Sequence, residues 1–468
     1  MRSFIKQVSI YGILPVVGKF AGFFLVPIYA RVFSSAEFGM VELLVTLAHF
    51  LMLACNLEFY TAIGRFFYDT DSLIKRRELI STGLVLTLFF TVVIVAVALL
   101  SENSILSYYF KGDDYRFEFR LSIIWIFFNA IYTYLGVIPR YDKRPKLYVI
   151  ITVTSLLVRI ASTIIYVLVF KWGITGVLAG HITGSIVSTV LNFGVSSKYI
   201  SLQFNWQYAK KIIKFAIPIT PGLFLVGLWQ PLSRNLVAQY FSLEVVGLLA
   251  FALRITALMA ILNSAINLAW NPMLFEDYKK PDFKKNLVTI SDYVGIAVFW
   301  MAASLTLLSP EITQFIGTAE YSDSSILIGF FAFQGGLLIL RQLRGFGPLI
   351  LNKTHILTIN EIVGIILGFS LLLLLKDFGL VGLGLSFLLP SLVQYALLVY
   401  YTTQKIKVRY INIREFILML SLVLAIITIV FSANLAIRYA LLASITIFAM
   451  FTVNGIYKKV SFQGKSKV

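Results

Sequence analysis

A chain of 468 residues that is 59% hydrophobic and only 13% charged is not a soluble globular protein. Its apolar residues gather in runs of about twenty, the length that crosses a hydrocarbon core of roughly 30 Å. A formal charge of +18 would suit nucleic acid, but the basic residues sit in the gaps between apolar runs. The single cysteine, Cys55, rules out a disulfide framework or a CxxC metal pattern.

Fourteen spans are predicted in chain order, over 9–29, 39–59, 80–100, 121–138, 148–170, 174–195, 213–232, 246–269, 288–308, 325–340, 356–375, 380–400, 415–431 and 436–454. The first follows Arg2 and Lys6 as a signal-peptide core would. Lys19 interrupts it and no small-residue cleavage site closes it, so a retained helix is expected. The weakest patterns are this first span, broken by Pro15, and the tenth, which carries Gln334, Gly335 and Gly336. The runs lack the alternation of a barrel, and an open sheet edge has no partner in lipid, so the expected class is an all-α polytopic membrane protein.

With both termini in the cytoplasm, 29 of the 40 Lys and Arg residues fall on the inner side and eight on the outer: Arg31, Lys111, Arg116, Arg120, Lys171, Arg234, Lys376 and Arg438. Lys19, Arg159 and Arg254 remain inside spans. Loop-by-loop alternation is what the positive-inside rule demands. The charge therefore reports topology and contact with anionic membrane lipids, and no nucleic-acid partner is expected. The longest outer loop, about Ser101 to Arg120, is too short for a catalytic module, and no HExxH, GxSxG or GxxxxGK[ST] pattern anchors one.

Two segments repeat. ARVFSSAEFG at 30–39 returns as AQYFSLEVVG at 238–247, with Ala30, Phe33, Ser34 and Gly39 matching Ala238, Phe241, Ser242 and Gly247. Gly173 and Gly176 in WGITG match Gly379 and Gly382 in FGLVG at nearly the same offset. Both motifs fall at equivalent turns of two six-span units. An even number of spans per unit gives a parallel repeat, with an axis along the membrane normal and a passage between the lobes. The expected organisation is an N-terminal lobe over 1–197, a C-terminal lobe over 213–404, and two further spans with a basic cytoplasmic tail over 405–468.

The charges inside spans carry the chemistry. An isolated helix pays roughly 2.5–3.5 kcal/mol for a central Lys or Arg, so Lys19, Arg159 and Arg254 should each face a wet cavity, an anion or a carboxylate. Lys19 shares a face with Pro15 and Gly22, which suits a helix lining a cavity. The alternative is an ion pair with Glu42, Glu58 or Glu361, and for Arg159 that structural pairing is the expectation. Glu42 and His49 are seven residues apart on one face with Thr46, which makes them a candidate protonatable pair. Glu42 is otherwise expected to be solvated at the outer interface, and Glu58, Glu361 and Asp292 to neutralise loop cations. His181 is expected to be packed and hydrogen-bonded, and His355 to lie in a loop.

VPIYARVFSSAEFGMVELL closing the first helix, KFAIPITPGLFLVGLW opening the second half and a GxxG-opened sixth helix resemble the polysaccharide-unit flippases of the multidrug/oligosaccharidyl-lipid/polysaccharide exporter superfamily. Many of those relatives carry an Asp-Arg pair after the seventh span, where this chain has Ser233 and Arg234. The resemblance implies alternating-access export of an undecaprenyl-diphosphate-linked oligosaccharide across a bacterial inner membrane. It also implies a monomer that works beside a glycan polymerase and a chain-length regulator. GKFAGFFLVPIYARVF and LLAFALRITAL also look like the first and eighth helices of peptidoglycan-precursor flippases, which implies headgroup contact by Lys19, Arg31 and Arg254, with Arg159 and Arg234 as further candidates. Candidate coupling groups for H+ or Na+ are Glu42, His49, Glu58 and Glu361; no other cofactor and no metal are expected. Moving two negative headgroup charges outward is favoured by about 2.3 kcal/mol per charge per 100 mV, so a coupling ion is not required. Peptidoglycan-precursor flippases, drug exporters of the same superfamily, and membrane glycan polymerases or ligases remain alternatives.

Overall fold

Ser34 starts the first long helix with a capping box: its hydroxyl accepts from the Glu37 amide at 3.2 Å, and the Glu37 carboxylate accepts from the Ser34 amide at 2.9 Å. The computed structural model describes residues 22–465 apart from 24, 70, 111–114, 202, 279, 281–282, 409–412 and 433. Lys19 and most of the first predicted span lie outside the described residues, and the end of that span is helical over 25–32. The described elements are all helices, and they divide into two compact units, Met1–Gly247 and Leu248–Val468.

The first unit holds α1 (Ser35–Asn56), α2 (Leu73–Leu100), α3 (Arg116–Gly136), α4 (Pro145–Ile164), α5 (Gly173–Ser196), α6 (Trp206–Ala216) and α7 (Thr220–Tyr240). These helices hide small polar groups and expose large apolar ones, as lipid demands. On α2, Thr82, Thr87 and Thr91 are fully buried while Phe89, Val92 and Val97 face outward. A stripe of Gly176, Gly180 and Gly184 lays α5 against the end of α4 at Tyr166, Thr163 and Arg159.

The seventh predicted span is displaced. Pro218 and Pro221 deprive the chain of two backbone donors, and the helix breaks between α6 and α7 with a bend of 57°. Instead of a loop, the linker contains the amphipathic α6, which buries Ala209, Ile212 and Ala216 in a cluster with Phe59, Ile63, Leu79 and Tyr199. α7 starts at Thr220 and runs on to Tyr240, which moves Arg234 from the predicted outer loop into a helix. The loop after Ser101 also gains a helix, Glu102–Phe110, anchored where Arg120 grips Glu102 through two bonds of 2.9 and 3.0 Å.

The second unit is built on α8 (Leu243–Asp277, entering from the first unit), α9 (Phe283–Leu307), α10 (Ser324–Arg344), α11 (His355–Leu374), α12 (Gly379–Ile406), α13 (Ile413–Val430) and α14 (Leu435–Lys465). The weakly patterned tenth span is the central helix α10, packed by α9, α12 and α13. Its Gln334 donates to the Phe387 carbonyl at 3.2 Å and Ser391 at 3.1 Å, so the polar group that weakened the pattern is satisfied inside the bundle. Eleven described helices are long and apolar enough to cross a membrane, and the bent pair α6–α7 makes a twelfth. Fourteen is not reached among the described residues, because the first span lies outside them and α13 has only a short apolar stretch, Phe416–Val430.

The repeated motifs have a physical meaning. Ser242 caps α8 as Ser34 caps α1, accepting from the Val245 amide at 3.3 Å. A Cβ on Gly39 would collide with the Leu243 carbonyl oxygen, and one on Gly247 with the Ser35 carbonyl oxygen, so the two copies touch reciprocally through their backbones. Gly173 and Gly379 both adopt left-handed φ values, +57° and +60°, at the turns that open α5 and α12.

Candidate functional site

Beyond its cap, α1 runs toward a cavity of about 370 Å3 in the first unit, which it lines together with α3 and α7. α1 contributes Thr46, His49 and Asn56, α3 contributes Asn129 and Thr133, and α7 contributes Gln230. These are hydrogen-bonding groups without a permanent charge, and they stand beside an edge-to-face pair of rings, Phe50 and Phe224, 5.6 Å apart. Gly227 lets α7 close on Leu53 of α1. No Lys or Arg lines this cavity among the described residues.

At the end of α1 the backbone is strained. Leu57 and Glu58 both take left-handed φ values, 42° and 60°, a conformation that costs a non-glycine residue on the order of 1 kcal/mol or more. The break turns Glu58 into the cavity wall. Its two carboxylate oxygens accept from the Tyr60 and Thr61 hydroxyls, each at 2.5 Å. Burial, and then the bond to Glu58, push the Tyr60 phenol above its ordinary range, so it remains a donor. Glu58 is thus a shaped wall group, and among the described residues it meets no loop cation.

Glu42 and His49, the candidate pair on α1, each also meet a side chain of another helix. Glu42 faces Arg234 of α7 across 3.5 Å, and both side chains are largely buried, at 14% and 8% exposed. Arg234 also donates to Ser233 at 3.0 Å. Glu42 reaches Arg234 from α1, and Arg234 fastens α7 to α1 from within a helix, not from the expected outer loop. Glu42 is not simply solvated. His49 instead opens to the cavity with its ring edge-on to Trp125, centroids 5.3 Å apart. Trp125 in turn packs on His181 at 4.3 Å.

The remaining candidates are dispersed. Arg31 is exposed, and Arg254 is half-buried in α8, within the second unit. Glu361 is held by Arg341 at 2.9 Å and Gln394 at 3.2 Å, and Asp292 lies 4.0 Å from Arg344; Arg341 and Arg344 are two of the cations expected in the loop after the tenth span, and they sit in the last turn of α10. His355 opens α11 and is not in a loop. Arg159 stands near the middle of the span Pro145–Val169 that α4 opens, half-buried, and among the described residues no carboxylate meets its guanidinium, against the expected ion pair. Asn129 and Thr133 were not singled out in the sequence, and Thr46 entered only as a neighbour of Glu42 and His49. Nothing but their depth within apolar runs marks them.

The chain matches the family described as polysaccharide biosynthesis protein over residues 28–326, more than half of its length. Among solved structures it resembles the lipid II flippase MurJ in an inward closed conformation, at 14% identity and a TM-score of 0.72, covering 96% of this chain and 98% of that one. A multidrug resistance MATE family transporter of the MOP superfamily, inward-facing, is also 14% identical, with a TM-score of 0.65 over 83% of this chain and 94% of that one. A mutant of the Vibrio cholerae MATE transporter VcmN aligns at 15% identity and 0.52, over 86% and 97%. No curated protein matches the chain in sequence. At these identities the likeness is one of fold: an all-helical, multi-pass membrane protein with the fold that MurJ and the MATE transporters share.

Proposed function

The chain belongs to the polysaccharide biosynthesis protein family, and on that premise we propose that it is a flippase. It carries an undecaprenyl-diphosphate-linked oligosaccharide from the cytoplasmic to the outer leaflet of a bacterial inner membrane, for O-antigen-type surface polysaccharide. The observation that carries this reading is the lining of the first-unit cavity. Thr46, Asn56, Asn129, Thr133 and Gln230 offer donors and acceptors to sugar hydroxyls, while Phe50 and Phe224 offer ring faces to the apolar sides of sugars. About 370 Å3 falls within the range of roughly 300–1,000 Å3 typical of small-molecule sites. An exporter of organic cations should present free carboxylates, and the one acid in this wall among the described residues, Glu58, already accepts two hydroxyl bonds.

In this reading Lys19 and Arg254 contact the diphosphate, both ends of the chain are cytoplasmic, and the membrane potential drives outward movement of the anionic headgroup, by about 2.3 kcal/mol per charge per 100 mV. The test is depletion of the protein in its native host, followed by extraction of lipid-linked oligosaccharides. The expected result is accumulation of complete, unpolymerised units in the cytoplasmic leaflet with loss of surface glycan. Unchanged surface glycan, with lysis and accumulated peptidoglycan precursor instead, would replace this substrate with the cell-wall precursor.

A further inference from the structure

A smaller cavity, about 160 Å3, lies in the first unit between α3, α4 and α5, next to the larger one, with Asn129 in both walls. Arg159, Ser155, His181, Ser188, Asn129 and Trp125 line it, and among the described residues no carboxylate does. Arg159 brings five N–H donors and a permanent charge to mid-span, with no ion pair among the described residues. An uncompensated Arg at that depth costs roughly 2.5–3.5 kcal/mol on insertion scales, a penalty that an anion in the cavity would remove. The hydroxyls of Ser155 and Ser188 are buried in the same wall without a hydrogen-bond partner. A buried polar atom left unsatisfied costs about 1–3 kcal/mol, and two of them beside one unpaired guanidinium make a donor set awaiting an acceptor. Gly184 permits this geometry: a Cβ there would stand 2.6 Å from the Arg159 Cβ, so a larger residue would push the guanidinium out of place.

We propose that this cavity is a binding site for a single phosphoryl group, held by Arg159 with Ser155 and Ser188. Arg matches phosphate geometry with paired N–H bonds, and both hydroxyls can donate to the remaining oxygens. The volume fixes the class of ligand. It accommodates one phosphoryl group with a few waters at about 30 Å3 each, and lies well below the roughly 300 Å3 at which sites for larger ligands begin. The phosphoryl group comes from free phosphate or from the headgroup of a polyprenyl phosphate. The inference concerns a cavity other than the proposed glycan site and does not depend on glycan export.

The full-length protein is purified in detergent and titrated at constant ionic strength with inorganic phosphate, and separately in nanodiscs with undecaprenyl phosphate, using thermal stabilisation as the readout. Saturable stabilisation by inorganic phosphate identifies the free ion, and stabilisation by the lipid alone identifies the headgroup; either supports the site. Arg159→Gln should abolish the effect and Arg159→Lys retain part of it. The Ser155→Ala/Ser188→Ala variant removes hydroxyls that have no partner, so it should fold at least as well as the parent and bind roughly tenfold more weakly. Saturable binding unchanged in the serine variant and in Arg159→Gln, or no response of the parent to either probe, overturns the proposal. Transport is not the readout, so the outcome is separate from that of the glycan assay.

Discussion

Replacing Glu42 by Ala removes the carboxylate that, among the described residues, the ion-pair geometry places on Arg234, a cation 8% exposed within α7. Breaking a buried pair by deleting one partner costs about 3–5 kcal/mol, because the remaining charge stays desolvated. The Nε to Oε1 separation of 3.5 Å places this pair toward the lower end. The double variant Glu42→Ala/Arg234→Ala leaves no orphaned charge, so it should lose less than the sum of the two single variants, with a coupling energy of about 1–3 kcal/mol. The protein carries its own probe: Cys55, the single cysteine, is fully buried, and a thiol-reactive dye reports it only on unfolding. If the double variant's loss equals the sum of the single losses within about 0.5 kcal/mol, the pair contributes no coupling and the assignment of Arg234 as a fastener fails. Glu42→Gln tests the other role. It should keep most transport activity, and a well-folded Glu42→Gln protein without transport would make Glu42 a coupling carboxylate.

Gly247→Val should prevent accumulation of folded protein, because its Cβ would occupy the position of the Ser35 carbonyl oxygen; normal abundance and Tm would contradict the reciprocal contact. Ser34→Ala removes the cap of α1 and should cost about 1 kcal/mol, read as a lowered Tm in the same dye assay. Between α3 and α4, burial pushes the Asp142 carboxyl up, but the Lys198 and Tyr199 hydrogen bonds and the nearby Arg144 more than offset it and hold it below the ordinary range. Its folded-state value is therefore depressed, so its stabilising contribution is present above the usual Asp range near 3.9 and is lost as pH falls through and below it. Asp142→Asn should flatten the acid limb of a Tm-against-pH curve, and an unchanged limb would show that the cluster does not contribute.

The span pattern was legible because about twenty consecutive apolar residues leave few alternatives in lipid. Where it slipped, the cause was local chemistry overriding composition. Pro218 broke the seventh span, and the rest of that helix then carried Arg234 inward. Partner choice was not legible: Glu42 and His49 share a face of α1, yet each answers to a different helix, Glu42 to α7 and His49 to α3. The repeat showed that Gly39 and Gly247 correspond, but only the fold reveals that each makes room for the other copy's backbone. One signal was available and unused. The spacing of Gly176, Gly180 and Gly184, one every four residues, marks a close helix contact, and it leads directly to Arg159.

The central claim is that this chain carries a lipid-linked glycan across the bilayer. Purified protein in proteoliposomes, loaded with a fluorescent undecaprenyl-diphosphate-linked oligosaccharide and placed under an imposed membrane potential, tests it most directly. Leaflet exposure is read by an impermeant glycan-modifying reagent. The account predicts movement of labelled lipid toward the positive side, lost in a Lys19→Ala/Arg254→Ala variant and reduced by His49→Ala with Tm unchanged. Transport equal to that of protein-free vesicles, or full transport by the double variant, would contradict it.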